Sequence, residues 1–101
     1  MNSAAPTLSF DNLIEILPAT NVTEPKKIQF AKEVVYFAFS NPNNKNATNI
    51  ADYIGKRFSE NFNQKWNCAV WEWNKGGISF YMTSRIDIKY NNHKIIIWIS
   101  S

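Results

Sequence analysis

One histidine, one cysteine and eight acids are what this chain of 101 residues offers to bond-making chemistry. His93 stands beside a predicted turn, with no Cys, Asp or Glu near it at metal-ligand spacing, so it reads as a solvated turn residue rather than a general base. Cys68 lies among apolar neighbours in a strand-like pattern and reads as a small buried hydrophobe. A lone cysteine also excludes an internal disulfide framework and a multi-cysteine zinc site. Gly76-Gly77 lacks the spacing and the following Lys-Ser/Thr of a phosphate loop. No pair of carboxylates stands apart from the rest. The expectation is therefore no enzyme, no metal and no cofactor.

Recognition chemistry is better supplied. Trp71, Trp73, Phe80 and Tyr81 could stack bases, as a sheet platform does. In alternating strands, however, such rings are more often core. The eleven Lys and Arg are scattered, with Lys26-Lys27 and Lys56-Arg57 the only adjacent basic pairs, and the net charge is +3. That is not the stripe nucleic acid requires, so none is expected as a partner.

The chain is 45% hydrophobic and 15% aromatic, with three Gly and four Pro. This is the composition of one globular domain rather than a fibrous or disordered chain. No apolar run approaches the roughly 20 residues of a membrane span, and Met1 to Pro6 shows no charged then apolar signal pattern. The expected home is the cytoplasm, with no membrane partner. The sequons Asn21-Val22-Thr23 and Asn46-Ala47-Thr48 would matter only in a secreted protein.

Residues 1–12 show little periodicity and read as a flexible leader, followed by a domain over 13–101. Leu13 to Leu17 is a short apolar run stopped by Pro18, an edge strand at most. Thr23-Glu24-Pro25 predicts a helix start. Ile28, Ala31, Val34, Val35 and Ala38 then recur at helical spacing, with Phe30 and Phe37 widening the stripe, and Asn41-Pro42 ends it. A second helix is capped by Thr48 or Asn49. Ile50, Ile54, Phe58 and Phe62 fall four apart, and the helix fades near Asn63. Gly55 within it hints at close packing.

After Trp66 the period changes from 3.6 to 2. Cys68 to Trp73 alternates, Asn74 to Gly77 turns, and Ile78, Phe80 and Met82 form a further alternation. Ile86, Ile88 and Tyr90 form the next, and Asn91-Asn92 suits a tight hairpin because Asn tolerates positive φ. The last strand, Lys94 to Ile99, is apolar on both faces: Ile95, Ile97 and Ile99 on one, Ile96 and Trp98 on the other. Such a strand is central, or covered on both sides. Two helices cover one face, so the other implies a partner.

The stretch Asn49 to Val70 reads N-I-A-D-Y-I-G-K-R-F-S-E-N-F-N-Q-K-W-N-C-A-V and resembles the eight-kilodalton dynein light chains. Their pattern runs roughly D-I-A-x-x-I-K-K-x-F-D-x-x-Y-x-x-x-W-H-C-I-V-G. Ile50, Ala51, Ile54, Lys56, Phe58, Phe62 in place of Tyr, Trp66, Cys68 and Val70 match in order and spacing. The resemblance covers residues 14–101 and implies an α+β fold, two helices packed on an antiparallel sheet in the order β-α-α-β-β-β-β. It also implies a homodimer in which one strand crosses to the partner's sheet.

Family members bind short extended peptides of partner proteins, the dynein intermediate chain among them, in the cytoplasm and on the cytoskeleton. The peptide adds as a strand at a groove between subunits. By this resemblance Gly77, Ile78, Ser79, Phe80 and Tyr81 form the peptide-pairing edge. Thr48 and Asn49 contribute from the start of the second helix, and Ile96 and Trp98 line the groove or the dimer face. Trp66, Asn67, Ile78 and Phe80 meet at the dimer interface. The chain departs from the pattern at several points. The family's Glu-Lys before the second helix is Ala47-Thr48, its His between Trp and Cys is Asn67, and its groove aromatics are Asp87 and Lys89.

A dynein-light-chain-like domain also follows paired EF-hands in tegumental calcium-binding proteins of parasitic flatworms. The chain is similar to these in its divergence and leader, and it has no EF-hand loop of its own. That setting is the alternative to a motor-associated light chain or dimerisation hub, with a basic aromatic RNA-binding domain as the third reading.

Overall fold

In the computed structural model, residues 13–75 and 84–99 are described. The first helix, α1, runs Pro25–Ser40. Pro25 stands at the start, where its missing N–H costs no intrahelical bond. Glu24 precedes it without a side-chain cap, and its carboxylate instead pairs with Lys27 at 2.9 Å. Ala31, Val34, Val35 and Ala38 are the buried stripe. Phe30 turns toward the second helix, whereas Phe37 lies off the stripe and is 55% exposed. Its apolar type suggested a wider stripe than the helical period allows.

The second helix, α2, runs Ala47–Phe62. Its cap is Asn46, not Thr48 or Asn49: the Asn46 side chain accepts from the Asn49 N–H at 2.9 Å. Thr48 and Asn49 thus sit inside the first turn. The helix ends at Asn63, whose left-handed φ of 52° closes the last turn on the Ser59 carbonyl. Ile50, Ile54, Gly55 and Phe58 are buried.

Four antiparallel strands are present among the described residues: β1 (Glu15–Ile16), β2 (Trp66–Glu72), β3 (Arg85–Tyr90) and β4 (His93–Ile99), in the order β1-β3-β4-β2. The doubly apolar last strand is therefore central. Asn91 and Asn92 have φ of 52° and 60°, the left-handed pair a two-residue hairpin needs. The strand expected over 78–82 and the leader over 1–12 lie outside the described residues.

Alternation divides the sheet cleanly. Trp66, Ile86, Ile88, Ile95 and Ile97 join the helix stripes in one core. A ring cluster links the layers, with Phe58 centroids 5.4 Å from Phe30, 5.0 Å from Phe62 and 4.8 Å from Trp66. Ser59 ties α2 to β2 by accepting from the Trp66 N–H at 2.9 Å. The second face carries Arg85, Asp87 and Lys89 from β3, Lys94, Ile96 and Trp98 from β4, and Asn67, Ala69 and Trp71 from β2, by the pairing register.

Candidate functional site

The two outer edges of the sheet differ. Along β3, the chain from β1 onward closes the edge. The Leu17 N–H reaches the Asp87 carbonyl at 2.8 Å, the Asn21 N–H reaches the Arg85 carbonyl at 3.0 Å, and the Arg85 N–H reaches Asn21 Oδ1 at 2.7 Å. Thr20 fills the gap that Pro18 and Ala19 leave: its hydroxyl accepts from the Asp87 N–H at 2.8 Å and donates to the Asp87 carbonyl at 3.2 Å.

Along β2, pairing runs to β4 on one side only among the described residues. Trp66 exchanges its outward N–H and carbonyl with Ser59, while the Trp73 N–H points inward to the Asn92 carbonyl. Alternation along an antiparallel strand then turns the backbone groups of Cys68 and Val70 and the Glu72 N–H away from β4, while the Glu72 carbonyl accepts from the Lys75 N–H at 3.1 Å. An edge with outward N–H and C=O groups is a template for another strand.

Beside that edge lies the second face. Asp87 is fully enclosed. Both its carboxylate oxygens accept from Arg85, Nε and one terminal nitrogen each at 2.7 Å, and Lys94 Nζ is 3.5 Å away. The hydrogen bond to Asp87 is the largest influence on the Arg85 guanidinium and holds it charged more firmly than usual, outweighing partial burial. Lys89 lays its ammonium 4.4 Å from the centroid of the Trp73 ring.

The expected site residues fall in different places. Trp66 is 3% exposed and packed on Phe58, so only its backbone lies on the β2 edge. Asn67 and Trp98 are cross-strand partners and half-buried on the second face. Ile96 is fully buried, with Ala69 and Asp87 as its register partners on the flanking strands. Thr48 and Asn49 are exposed, and the Asn49 N–H is already taken by Asn46. Gly77, Ile78, Ser79, Phe80 and Tyr81 lie outside the described residues.

Cys68 packs against the core beneath α2. Burial, and secondarily the charge of Asp52, push its thiol well above its ordinary value, which disfavours the reactive thiolate. His93 opens β4, with Nδ1 2.7 Å from the Asn91 carbonyl and its ring 5.2 Å from Phe39. Among the described residues no group of three His, Cys, Asp or Glu could hold a metal ion, and no helix is long and apolar enough to cross a membrane. A groove of about 660 Å³ opens beside the start of α1, lined by Glu24, Pro25, Lys26, Lys27 and Phe62. Its Lys27 is held by Glu24 at 2.9 Å.

Comparison with solved structures decides the fold. The chain superposes on the dynein light chain-like domain of the Fasciola hepatica calcium-binding protein FhCaBP2 with a TM-score of 0.71, at 18% identity, over 91% of this chain and 96% of that one. The chain has a dynein light chain-like fold. A mercury derivative of the same Fasciola domain gives 0.68 at 19% identity, covering 87% of this chain and 92% of that one. The DLC-like domain of CsTAL3 gives 0.67 at 13% identity, covering 87% and 93%. No family model matches the sequence, and no curated protein matches it. In the dynein light chain-like fold of this chain, the matched Ile50, Ile54, Phe58 and Trp66 are all core. The resemblance was carried by packing residues, which specify the fold.

The Asp87 cluster was the feature that sequence reasoning missed. Its signal was present: Arg85, Asp87 and Lys89 alternate onto one face of a strand, and the hairpin brings Lys94 opposite. From the sequence alone Asp87 and Lys89 read as departures from the family's aromatics, because the enclosure of Asp87 depends on the fold.

Proposed function

We propose that the chain is a dimeric protein-interaction module that takes extended peptides by strand addition. The observation that carries this is the asymmetry of the sheet edges. The β3 edge is closed by Leu17 to Val22, while the β2 edge turns the backbone groups of Cys68 and Val70 and the Glu72 N–H outward. Strand addition supplies main-chain hydrogen bonds, and the adjoining face supplies side-chain selectivity. In this reading one strand of each copy adds to the partner's β2, and two grooves make a bivalent clamp.

Two settings fit the module. One is a motor-associated light chain or dimerisation hub in the cytoplasm and on the cytoskeleton. The other is the light-chain-like domain of a flatworm calcium-binding protein, which the fold likeness to the Fasciola domain supports. Light scattering on the purified chain should give about twice 11.7 kDa at micromolar concentration. A peptide array on the same sample should retain extended sequences. A monomer with no array binding would overturn the module.

A further inference from the structure

The second face of the sheet carries more positive charge than its ion pairs consume. Lys89 and Lys94 are direct cross-strand partners. Like charges in that relation destabilise a sheet unless something lies between them. Arg85 stands on the same face, and its charge is spent on Asp87 through two bonds of 2.7 Å. Lys94 reaches the same carboxylate at 3.5 Å, so Asp87 serves two cations. Glu15, opposite Lys89 on β1, is the other acid in register. Yet Lys89 lies over Trp73, and among the described residues no carboxylate pairs with it.

We propose that this face selects an acidic side chain of the bound peptide, a Glu or Asp carboxylate received between Lys89 and Lys94 beside Trp73. The inference rests on the strand-addition reading and names what the added strand must carry. A carboxylate there converts the Lys89–Lys94 repulsion into two charge-assisted contacts. The Trp73 ring holds the Lys89 ammonium in place beforehand, so less side-chain freedom is lost on binding. An extended peptide suits the site better than a nucleic acid strand. The proposed module takes extended peptide backbone at the groove beside this face, whereas phosphates at every step need a longer track of cations.

The test measures fluorescence anisotropy with the whole chain and short labelled Val/Thr peptides. Each peptide carries Glu, or its Gln counterpart, at one position in turn. The best Glu peptide should bind about tenfold tighter than its Gln twin, and the advantage should shrink as salt rises toward about 0.5 M. Lys89→Gln and Lys94→Gln should each remove it, while Lys56→Gln on α2 should leave it. Lys89→Gln keeps the test sound if loss of Lys94 unsettles Asp87, because the Lys89 ammonium lies over the Trp73 ring and, among the described residues, pairs with no carboxylate. Equal binding of Glu and Gln peptides overturns acid selection and leaves strand addition standing. Binding of neither overturns both. An oligouridine that binds tighter than every Glu peptide assigns the face to nucleic acid and overturns the proposal.

Discussion

Arg85 and Asp87 stand two residues apart on one strand and grip each other through paired 2.7 Å bonds, with the carboxylate wholly enclosed. Replacing the carboxylate takes the charge partner from a guanidinium that is only 13% exposed. Asp87→Asn should therefore cost about 3–5 kcal/mol of unfolding free energy. The double variant Arg85→Met, Asp87→Leu should recover much of that, since an apolar pair of similar volume avoids the desolvation altogether. Urea denaturation of wild type, Arg85→Met, Asp87→Leu and their double variant, read as a double-mutant cycle, gives the coupling directly. A loss under about 0.5 kcal/mol for the single variant would mean water reaches the pair.

Gly55 invites the opposite experiment. A Cβ built there would lie 3.5 Å from the Trp66 carbonyl oxygen and 3.6 Å from the Cys68 nitrogen, ordinary contact distances. Gly55→Ala should thus gain up to about 1 kcal/mol from helix propensity. Gly55→Leu should destabilise strongly, because the backbone of β2 leaves no room beyond the first carbon. A destabilised Ala variant, measured by thermal melt, would show that α2 sits closer to β2 than these distances indicate.

Periodicity made the scaffold legible. The four-residue spacing of Ile50 to Phe62 and the alternation of Ile86 to Ile99 each name a buried face, and burial is what those residues do. The Asn91-Asn92 hairpin followed from local backbone preference alone. Misreadings arose where tertiary neighbours decide. Phe37 is apolar yet largely exposed, and Asp87 is charged yet enclosed, because the latter depends on Arg85, Lys94 and Thr20 meeting at one point. Thr20 is 67 positions from Asp87 in sequence, beyond the reach of any local pattern. The cap on α2 was misplaced for a simpler reason: Asn46, Thr48 and Asn49 are all competent caps, and spacing alone does not choose among them.

The Cys68 thiol sets a pH dependence. Burial raises its proton affinity in the folded chain, while the unfolded chain releases the proton near 9.0. The stability tied to the neutral thiol is complete below that value and is lost as pH rises above it, at about 1.4 kcal/mol per pH unit. Tyr90, also raised by burial, acts in the same direction at higher pH. Comparing wild type with Cys68→Ala isolates the thiol. The slope of unfolding free energy between pH 9 and about 10 should be shallower in the variant. Identical slopes would mean the folded chain accommodates a thiolate. At pH 7 the folded thiol should also react slowly with an alkylating agent, since little of it is ionised.

The β2 edge yields the test of assembly. Trp66 faces away from β4 and Trp73 toward it, so the Glu72 amide points outward and contributes no bond to the β2–β4 ladder. Glu72 is also exposed. Glu72→Pro removes one outward donor while sparing both the ladder and the core, the circumstance in which an edge strand tolerates proline. The far-UV circular dichroism should therefore match wild type, and the dimer dissociation constant should rise about tenfold for the lost hydrogen bond and the ring's obstruction. Dimerisation unchanged by Glu72→Pro would move the added strand elsewhere along the edge, to be followed with Val70→Pro. If that variant also assembles normally while remaining folded, β2 is not the edge that receives a second chain.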